Sequence, residues 1–154
     1  MTLEIKKVGV IGAGTMGSGI AAHLANAGVE VLLLDMPYSG FGFKNKLAED
    51  ALEKLQKTDP AALMSPKAIK FITPGNLEDD LDKLSACDWI IEVIVENLEI
   101  KRDLYQKLET LLKPHTIVSS NTSTILLKDL IQDRTKTFQN AFMITHFFNP
   151  PRYM

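Results

Sequence analysis

The ten residues VGVIGAGTMG, Val8–Gly17, decide the fold class of this chain, because they set a glycine loop between a strand and a helix. Val8–Ile11 is a short apolar run of the strand type. After the loop, Ile20 and Leu24 recur at the spacing of one helix face. The loop itself has the pattern G-x-G-x-x-G, which in this strand-loop-helix position is typical of a dinucleotide-binding site.

Each glycine of the loop has its own predicted role. Gly12 permits the tight turn, Gly14 lets the backbone approach a pyrophosphate, and Gly17 lets the helix pack close to the strand. The unpaired N–H groups at the start of the helix would hold the phosphate charge. The predicted cofactor loop consists of Gly12, Ala13, Gly14, Thr15, Met16 and Gly17. The alternative is a glycine turn that only joins a strand to a helix.

An acidic residue at the end of the next apolar run favours NAD over NADP. Asp35 ends the predicted strand 29–35 and lies 18 residues after Gly17. There its carboxylate can accept hydrogen bonds from both hydroxyls of the adenosine ribose, and it would repel a 2′-phosphate. No Lys or Arg follows before Lys44, so the cation that an NADP site uses is missing nearby.

Apolar runs and amphipathic segments alternate along the rest of the chain. Further strands are predicted at 70–73, 89–95, 116–119 and 141–147. Helices are predicted at 44–57, from Pro60 with Asp59 as its cap, at 77–84, at 98–112 with Asn97 as its cap, and at 126–131. This alternation predicts an α/β fold with a Rossmann-type, doubly wound and mostly parallel sheet, formed by residues 1–154 as one domain.

The composition narrows the class of partner and the compartment. The 17 Lys and Arg are balanced by 19 Asp and Glu without a basic block, so neither a nucleic acid nor a membrane is expected as a partner. The single Cys87 fits a reducing, cytoplasmic setting. Glycines and polar residues interrupt the apolar stretch 8–27, which argues against a signal peptide. His23 and His115 lack partners at ligand spacing, so no metal site is expected.

Three polar blocks follow predicted strands, so they should meet at the carboxyl edge of the sheet. They are ENLEIK (96–101), SNTS (120–123) and HFFNP (146–150). With the glycine loop, they occur in the order of the NAD-binding N-terminal domains of L-3-hydroxyacyl-CoA dehydrogenases, which the chain resembles over essentially its whole length. The segments ITPGNLEDD and HFFNPPRYM are most similar to the large bacterial form that is fused to an enoyl-CoA hydratase domain.

This resemblance implies an oxidoreductase that uses NAD to convert 3-hydroxyacyl-CoA to 3-oxoacyl-CoA in fatty-acid β-oxidation. It makes His146 the general base, for which an imidazole is suited near neutral pH. It makes Ser123 a catalytic serine that contacts both cofactor and substrate, with Asn121 shaping the same loop at the substrate. Glu96 and Lys101 match family positions beside the cofactor.

Other interpretations of the same residues stay open. His146 could be a core histidine, Glu96 a helix-entry residue and Lys101 a solvated helix lysine. The chain could be a non-catalytic NAD-binding or structural module, like the lens crystallins that resemble this family. It could also belong to a 3-hydroxybutyryl-CoA dehydrogenase of fermentation.

The sequence also departs from the family pattern. The eight residues after His146 lack the glutamate that follows HFFNP in the family. The sequence also does not contain the family's helical substrate and dimerisation domain. No CoA-contacting segment is recognisable between Ser39 and Leu63. We therefore expect a cofactor domain that binds NAD but is nearly inactive alone, because the imidazolium lacks its carboxylate partner. We also expect a sheet truncated at its C-terminal edge, with an open strand near 142–148 that favours self-association.

Overall fold

Six strands in one parallel sheet form the centre of the molecule. The computed structural model describes residues 4–154. The strands are β1 (Lys7–Ile11), β2 (Glu30–Asp35), β3 (Ile72–Asn76), β4 (Trp89–Glu92), β5 (Ile117–Ser120) and β6 (Phe142–Ile144). Their order is β3-β2-β1-β4-β5-β6, and all five neighbouring pairs are parallel. The predicted Rossmann-type doubly wound sheet is confirmed.

Helices connect the strands. They are α1 (Thr15–Asn26), α2 (Lys46–Leu55), α3 (Leu98–Glu109), α4 (Leu127–Ile131) and α5 (Lys136–Ala141), with short 3-10 helices at Pro66–Phe71 and Leu81–Ala86. Asn97 caps α3 as predicted, because its side chain accepts a hydrogen bond from the Ile100 N–H. In the described part of the chain, no helix has the length and hydropathy that crossing a membrane requires.

The packing of strand β2 shows why the strands are continuous apolar runs. Val31 and Leu33 pack into the apolar cluster that includes α1 and α2, whereas Leu32 and Leu34 pack into the cluster that includes α3. Both faces of the sheet are therefore covered, and no position of the central strands can be polar without a hydrogen-bond partner.

The strand order reverses between β1 and β4, which makes this the topological switch point of the sheet. From β1 the chain moves outward to β2 and β3, and then returns to β4, which pairs with the other side of β1. The ends of these strands are in register, since Ile11 lies opposite both Leu34 and Glu92. In such sheets ligands bind in the crevice beyond the carboxyl ends of the strands at this point.

The predicted helix that starts at Pro60 with Asp59 as its cap is wrong. Residues 59–65 are bends and irregular backbone, and the helical segment begins at Pro66, where the Ser65 side chain accepts a hydrogen bond from Lys67 N–H. Tertiary contacts explain the irregular stretch. The backbone of residues 61–64 forms hydrogen bonds with the side chains of Asn26, Arg152 and Tyr153 instead of with itself.

Several predicted boundaries also shift. The strand expected at 70–73 is β3 at Ile72–Asn76, the helix expected at 77–84 is the 3-10 helix Leu81–Ala86, and the last strand ends at Ile144. Strand β3 tolerates Pro74 because it is an edge strand that pairs only with β2 in the described chain. Helix α5 was not predicted; it begins where the Thr135 hydroxyl accepts a hydrogen bond from Phe138 N–H.

Strand β6 lies at the other edge. Within residues 4–154 it pairs only with β5, and Met143 and Ile144 are exposed. The expected self-association through this edge stays a prediction.

Candidate functional site

The glycine loop has the backbone shape that its sequence predicts. Gly12 has a φ of 108°, a region that L side chains avoid, and a Cβ there would lie 2.4 Å from the carbonyl oxygen of Val93. A Cβ on Gly17 would lie 1.7 Å from the carbonyl oxygen of Gly12. The loop is therefore packed against its own helix and against the backbone that follows β4.

Gly14 faces open space instead. Apart from its immediate chain neighbours, no heavy atom of residues 4–154 lies within 4 Å of the position that its Cβ would occupy. Gly14 is also the N-cap of α1. The first N–H groups of an α-helix have no intrahelical acceptor, and no side chain in the described part of the chain caps these. A surface of bare N–H groups with no side chain in front of it suits an anion.

Asp35 lies beside this surface at the end of β2. Its carboxylate accepts hydrogen bonds of 2.6 Å from Ala13 N–H and 2.6 Å from Met36 N–H. A carboxylate has about four acceptor positions, so about two remain for a ligand. A cavity of about 520 Å³ opens here between α1 and α2, and Gly14, Asp35 and Arg152 are among its lining residues.

Lys44, the first cation after Asp35 in the sequence, forms ion pairs with two acidic side chains. Its ammonium lies 2.9 Å from a carboxylate oxygen of Glu78 and 2.9 Å from one of Asp79. These hydrogen bonds raise the pKa of Lys44. Its charge is thus compensated by two acidic side chains, so Lys44 does not supply a cation for a 2′-phosphate beside Asp35.

A second group of predicted residues follows β5 and β6. Ser123 and His146 are both exposed, and they follow neighbouring parallel strands at the same edge of the sheet. The Asn121 side chain joins the two segments, because its Oδ1 accepts a 2.8 Å hydrogen bond from Phe147 N–H. The His146 ring lies 5.0 Å from the Phe148 ring between centroids. The interpretation of His146 as a core histidine is therefore wrong.

Glu96 organises the loop that contains Ser123. Its carboxylate accepts hydrogen bonds from the Thr122 hydroxyl, from Ser123 N–H at 3.2 Å, and from both the N–H and the hydroxyl of Thr124. Burial raises the pKa of Glu96, but these hydrogen bonds and the charge of Lys101 outweigh it and lower the pKa to about 2. Glu96 is thus more than a helix-entry residue.

Lys101 is buried, so the interpretation as a solvated helix lysine is wrong. Only 1% of its side chain is exposed, and its ammonium lies 2.6 Å from the Glu92 carboxylate and 3.5 Å from that of Glu96. A direct contact of Lys101 with a cofactor stays a prediction. In this structure the ammonium links two carboxylates at the carboxyl end of β4.

Comparison with known proteins identifies the family. Residues 7–154 match the family model described as 3-hydroxyacyl-CoA dehydrogenase, NAD binding domain. The chain belongs to this family. The resemblance seen in the sequence is confirmed, and NAD is the cofactor of this class of domain.

Relatives of this dehydrogenase domain agree with the family. A Rickettsia felis protein provisionally named fatty acid oxidation complex trifunctional enzyme is 51% identical over 154 residues, all of this chain and 21% of the relative. A 3-hydroxybutyryl-CoA dehydrogenase of Bradyrhizobium diazoefficiens is 38% identical over 97% of this chain and 50% of the relative. The chain thus spans between about a fifth and half of the length of these relatives.

A solved structure has the same fold. The crystal structure of 3-hydroxybutyryl-CoA dehydrogenase from Escherichia coli K12 matches 99% of this dehydrogenase domain and 31% of that chain, with a TM-score of 0.80 and 28% sequence identity. The matched region therefore extends over nearly all of this chain.

Sequence reasoning missed one set of residues in the dehydrogenase domain. Glu92 lies in the interior and its carboxylate accepts hydrogen bonds from Lys101, Tyr105 and Ser120. Sequence reasoning gave no role to Glu92 or Tyr105, and it included Ser120 only as part of the SNTS block. The acidic residue in the apolar run WIIEVIV (89–95) was the available signal, because a charge in a strand buried on both faces requires partners. Of the residues described, no three His, Cys, Asp or Glu side chains are grouped as metal ligands.

Proposed function

We propose that this chain is the NAD-binding domain of an enzyme that oxidises 3-hydroxyacyl-CoA thioesters to 3-oxoacyl-CoA. The positions of two groups of residues carry the proposal. Asp35 and the bare N–H groups of α1 lie on one side of the switch point, and Ser123 and His146 follow β5 and β6 on the other side. An extended dinucleotide placed across the switch point would have its adenosine half at Asp35 and its nicotinamide half towards Ser123.

The residues present fit NAD. The uncapped start of α1 and the open space at Gly14 suit a pyrophosphate, and Asp35 has acceptor positions left for two ribose hydroxyls. Glu96 and Lys101 would lie on the nicotinamide side of the site. When bound, NAD accepts the hydride that leaves C3 of the substrate.

His146 would act as the general base. It takes the proton of the 3-hydroxyl while the C3–H bond breaks and the C–O bond becomes a carbonyl, and an imidazole can accept a proton near neutral pH. Ser123 would hold the substrate oxygen with its hydroxyl, and Asn121 would keep the Ser123 and His146 segments together through Phe147 N–H.

The length of the acyl chain and the pathway are finer proposals. The trifunctional fatty-acid-oxidation name of one relative favours β-oxidation, whereas the 3-hydroxybutyryl-CoA dehydrogenase names of others favour a short-chain substrate. A cytoplasmic site of action is proposed because of the single cysteine and the bacterial relatives. Dimerisation of the enzyme through residues beyond this domain is likewise proposed from the resemblance.

Cofactor titration tests the proposal directly. NADH should bind this chain with micromolar affinity by fluorescence, and NADPH should bind much more weakly. Equal affinity for the two nucleotides, or no binding, would contradict it. The 154-residue chain should show little turnover, because the eight residues after His146 contain no Asp or Glu side chain to stabilise the imidazolium. A longer protein that includes this chain should oxidise 3-hydroxyacyl-CoA, and its His146→Gln variant should not.

A further inference from the structure

The carboxylate of Glu92 is completely buried and completely bonded. It is 0% exposed and accepts hydrogen bonds from four donors, which fill its acceptor positions. The donors are Ile94 N–H at 2.9 Å, Lys101 Nζ at 2.6 Å, Tyr105 OH at 2.5 Å and Ser120 Oγ at 2.6 Å. Burial and the Glu92 charge raise the pKa of Tyr105, so that side chain remains a donor.

Two routes lead from Glu92 to the loop that contains Ser123. In the first, Glu92 holds the Lys101 ammonium, which lies 3.5 Å from the Glu96 carboxylate, and Glu96 binds the loop 122–124. In the second, Glu92 accepts from the Ser120 hydroxyl, whose oxygen accepts a 3.2 Å hydrogen bond from Thr122 N–H.

The same carboxylate fixes the loop after β4. It accepts from Ile94 N–H, and the Lys101 ammonium lies 3.5 Å from the Ile94 carbonyl oxygen. Residues 93–97 and 121–124 are therefore both tied to one point at the end of β4. These two loops contain Glu96 and Ser123, which are predicted to contact the nicotinamide half of the cofactor.

Stability alone is a weak reason for this arrangement. Removing two charges from water costs so much that a buried ion pair contributes little more than apolar side chains of the same volume. What such a pair can supply is one fixed arrangement of the groups around it. The geometry here fixes loops at a ligand site.

We propose that Glu92 is a positioning residue of the site, which acts through Lys101 and Ser120 to hold Glu96 and Ser123 where they meet the nicotinamide half of NAD. This inference rests on the proposed function. It predicts that loss of the Glu92 carboxylate weakens binding of the nicotinamide half without changing the adenosine half, which Gly14 and Asp35 hold.

Paired charge removal provides the test, because a single Glu92→Gln change would leave the Lys101 ammonium buried without its partner and could prevent folding. The double variant Glu92→Gln/Lys101→Met removes both charges at nearly constant volume. Its affinity for NADH and for ADP-ribose, which lacks the nicotinamide, is measured by fluorescence and by calorimetry. NADH should bind about tenfold more weakly, with ADP-ribose unchanged within about twofold.

Two further variants complete the experiment. Ser120→Ala breaks only the second route and keeps every charge. The variant should therefore fold, and its affinity for NADH should be about threefold lower. Thr116→Val is the matched control, because it also removes a buried hydroxyl, just before β5. Among the described residues, this hydroxyl donates only to the Cys87 carbonyl oxygen. The control should change neither the NADH affinity nor the ADP-ribose affinity.

Each outcome decides one of the proposals. Equal weakening of NADH and ADP-ribose binding in the double variant, or unchanged NADH affinity in Ser120→Ala, would overturn the positioning role of Glu92. Ser120→Ala decides here because it keeps Lys101, which is itself predicted to lie beside the cofactor. Failure of the unmodified chain to bind NADH would instead overturn the proposed function.

Discussion

The carboxylate of Asp35 accepts a 2.6 Å hydrogen bond from the amide of Ala13, which joins the end of β2 to the glycine loop. The acid that is expected to bind ribose is thus held in place by the loop that is expected to bind phosphate. The two parts of the predicted cofactor site are therefore joined directly by this hydrogen bond.

Replacing Asp35 by Asn should reduce the preference for NADH. Asn has one acceptor oxygen in place of two, and it no longer repels a 2′-phosphate. We expect NADH to bind about tenfold more weakly and NADPH to change little, as measured by fluorescence titration. Asp103→Asn, on the exposed surface of α3, is the control. An unchanged ratio of the two affinities would contradict the role of Asp35.

Alanine substitutions at Gly14 and Gly17 should separate binding from folding. Beyond its chain neighbours, the added Cβ of Gly14→Ala meets no described atom within 4 Å, so the melting temperature should stay near that of the unmodified chain while NADH binding weakens. Gly17→Ala places a Cβ 1.7 Å from the Gly12 carbonyl oxygen and should destabilise the fold by about 2–3 kcal/mol. Calorimetry and NADH titration measure the two effects. Equal loss of stability in both variants would refute this division.

Removal of the Glu96 carboxylate should change how stability depends on pH. Its pKa is lowered to about 2 in the folded chain from the usual 4.5 of a glutamate, so ionised Glu96 stabilises the fold fully above about pH 5. That contribution is lost as the pH falls towards 2. Because 38% of the side chain is exposed, solvent screening reduces its size.

Denaturant unfolding of the unmodified chain and of Glu96→Gln measures this contribution. The stability difference between them should be constant from pH 7 to 5 and shrink below pH 4.5. Glu53→Gln, an exposed carboxylate on α2, provides the control. A difference that grows on acidification would have the wrong sign for a lowered pKa.

Loss of the Asn121 side chain should loosen the segment that contains His146. The bond from Phe147 N–H to Asn121 Oδ1 is removed in Asn121→Ala, at a cost of about 1 kcal/mol. Amide exchange at Phe147, followed by NMR, should become faster. Asn121→Asp keeps the acceptor oxygen and should retain slow exchange; if it behaves like Asn121→Ala, the hydrogen bond is not what protects this amide.

Cys87 should be inert in the folded chain. It is buried, and burial raises the pKa of its thiol to about 11, so little thiolate forms at pH 8. An aromatic disulfide reagent should therefore react with this cysteine only after denaturant is added. Rapid reaction of the native chain would show that the start of β4 opens readily.

Much of the fold was predictable because its signals are local. The glycine loop, the apolar runs of β1 and β2 and the cap of α3 at Asn97 each depend on residues within a few positions of one another. The helix expected at Pro60 and the unpredicted helix α5 show the limit. At residues 61–64, contacts with distant side chains such as Arg152 replaced local preference.

The sequence by itself determined the order of the six strands along the chain, the glycine loop and the identity of the polar residues after the strands, because these depend on spacing along the chain. Only the tertiary structure decided which of those residues face solvent and which lie inside. The sequence around Lys101 is that of an ordinary helix lysine, yet its side chain is buried and forms a hydrogen bond with Glu92, nine positions away on another element. Burial and charge pairing depend on distances across the folded sheet, and spacing within one segment does not contain them.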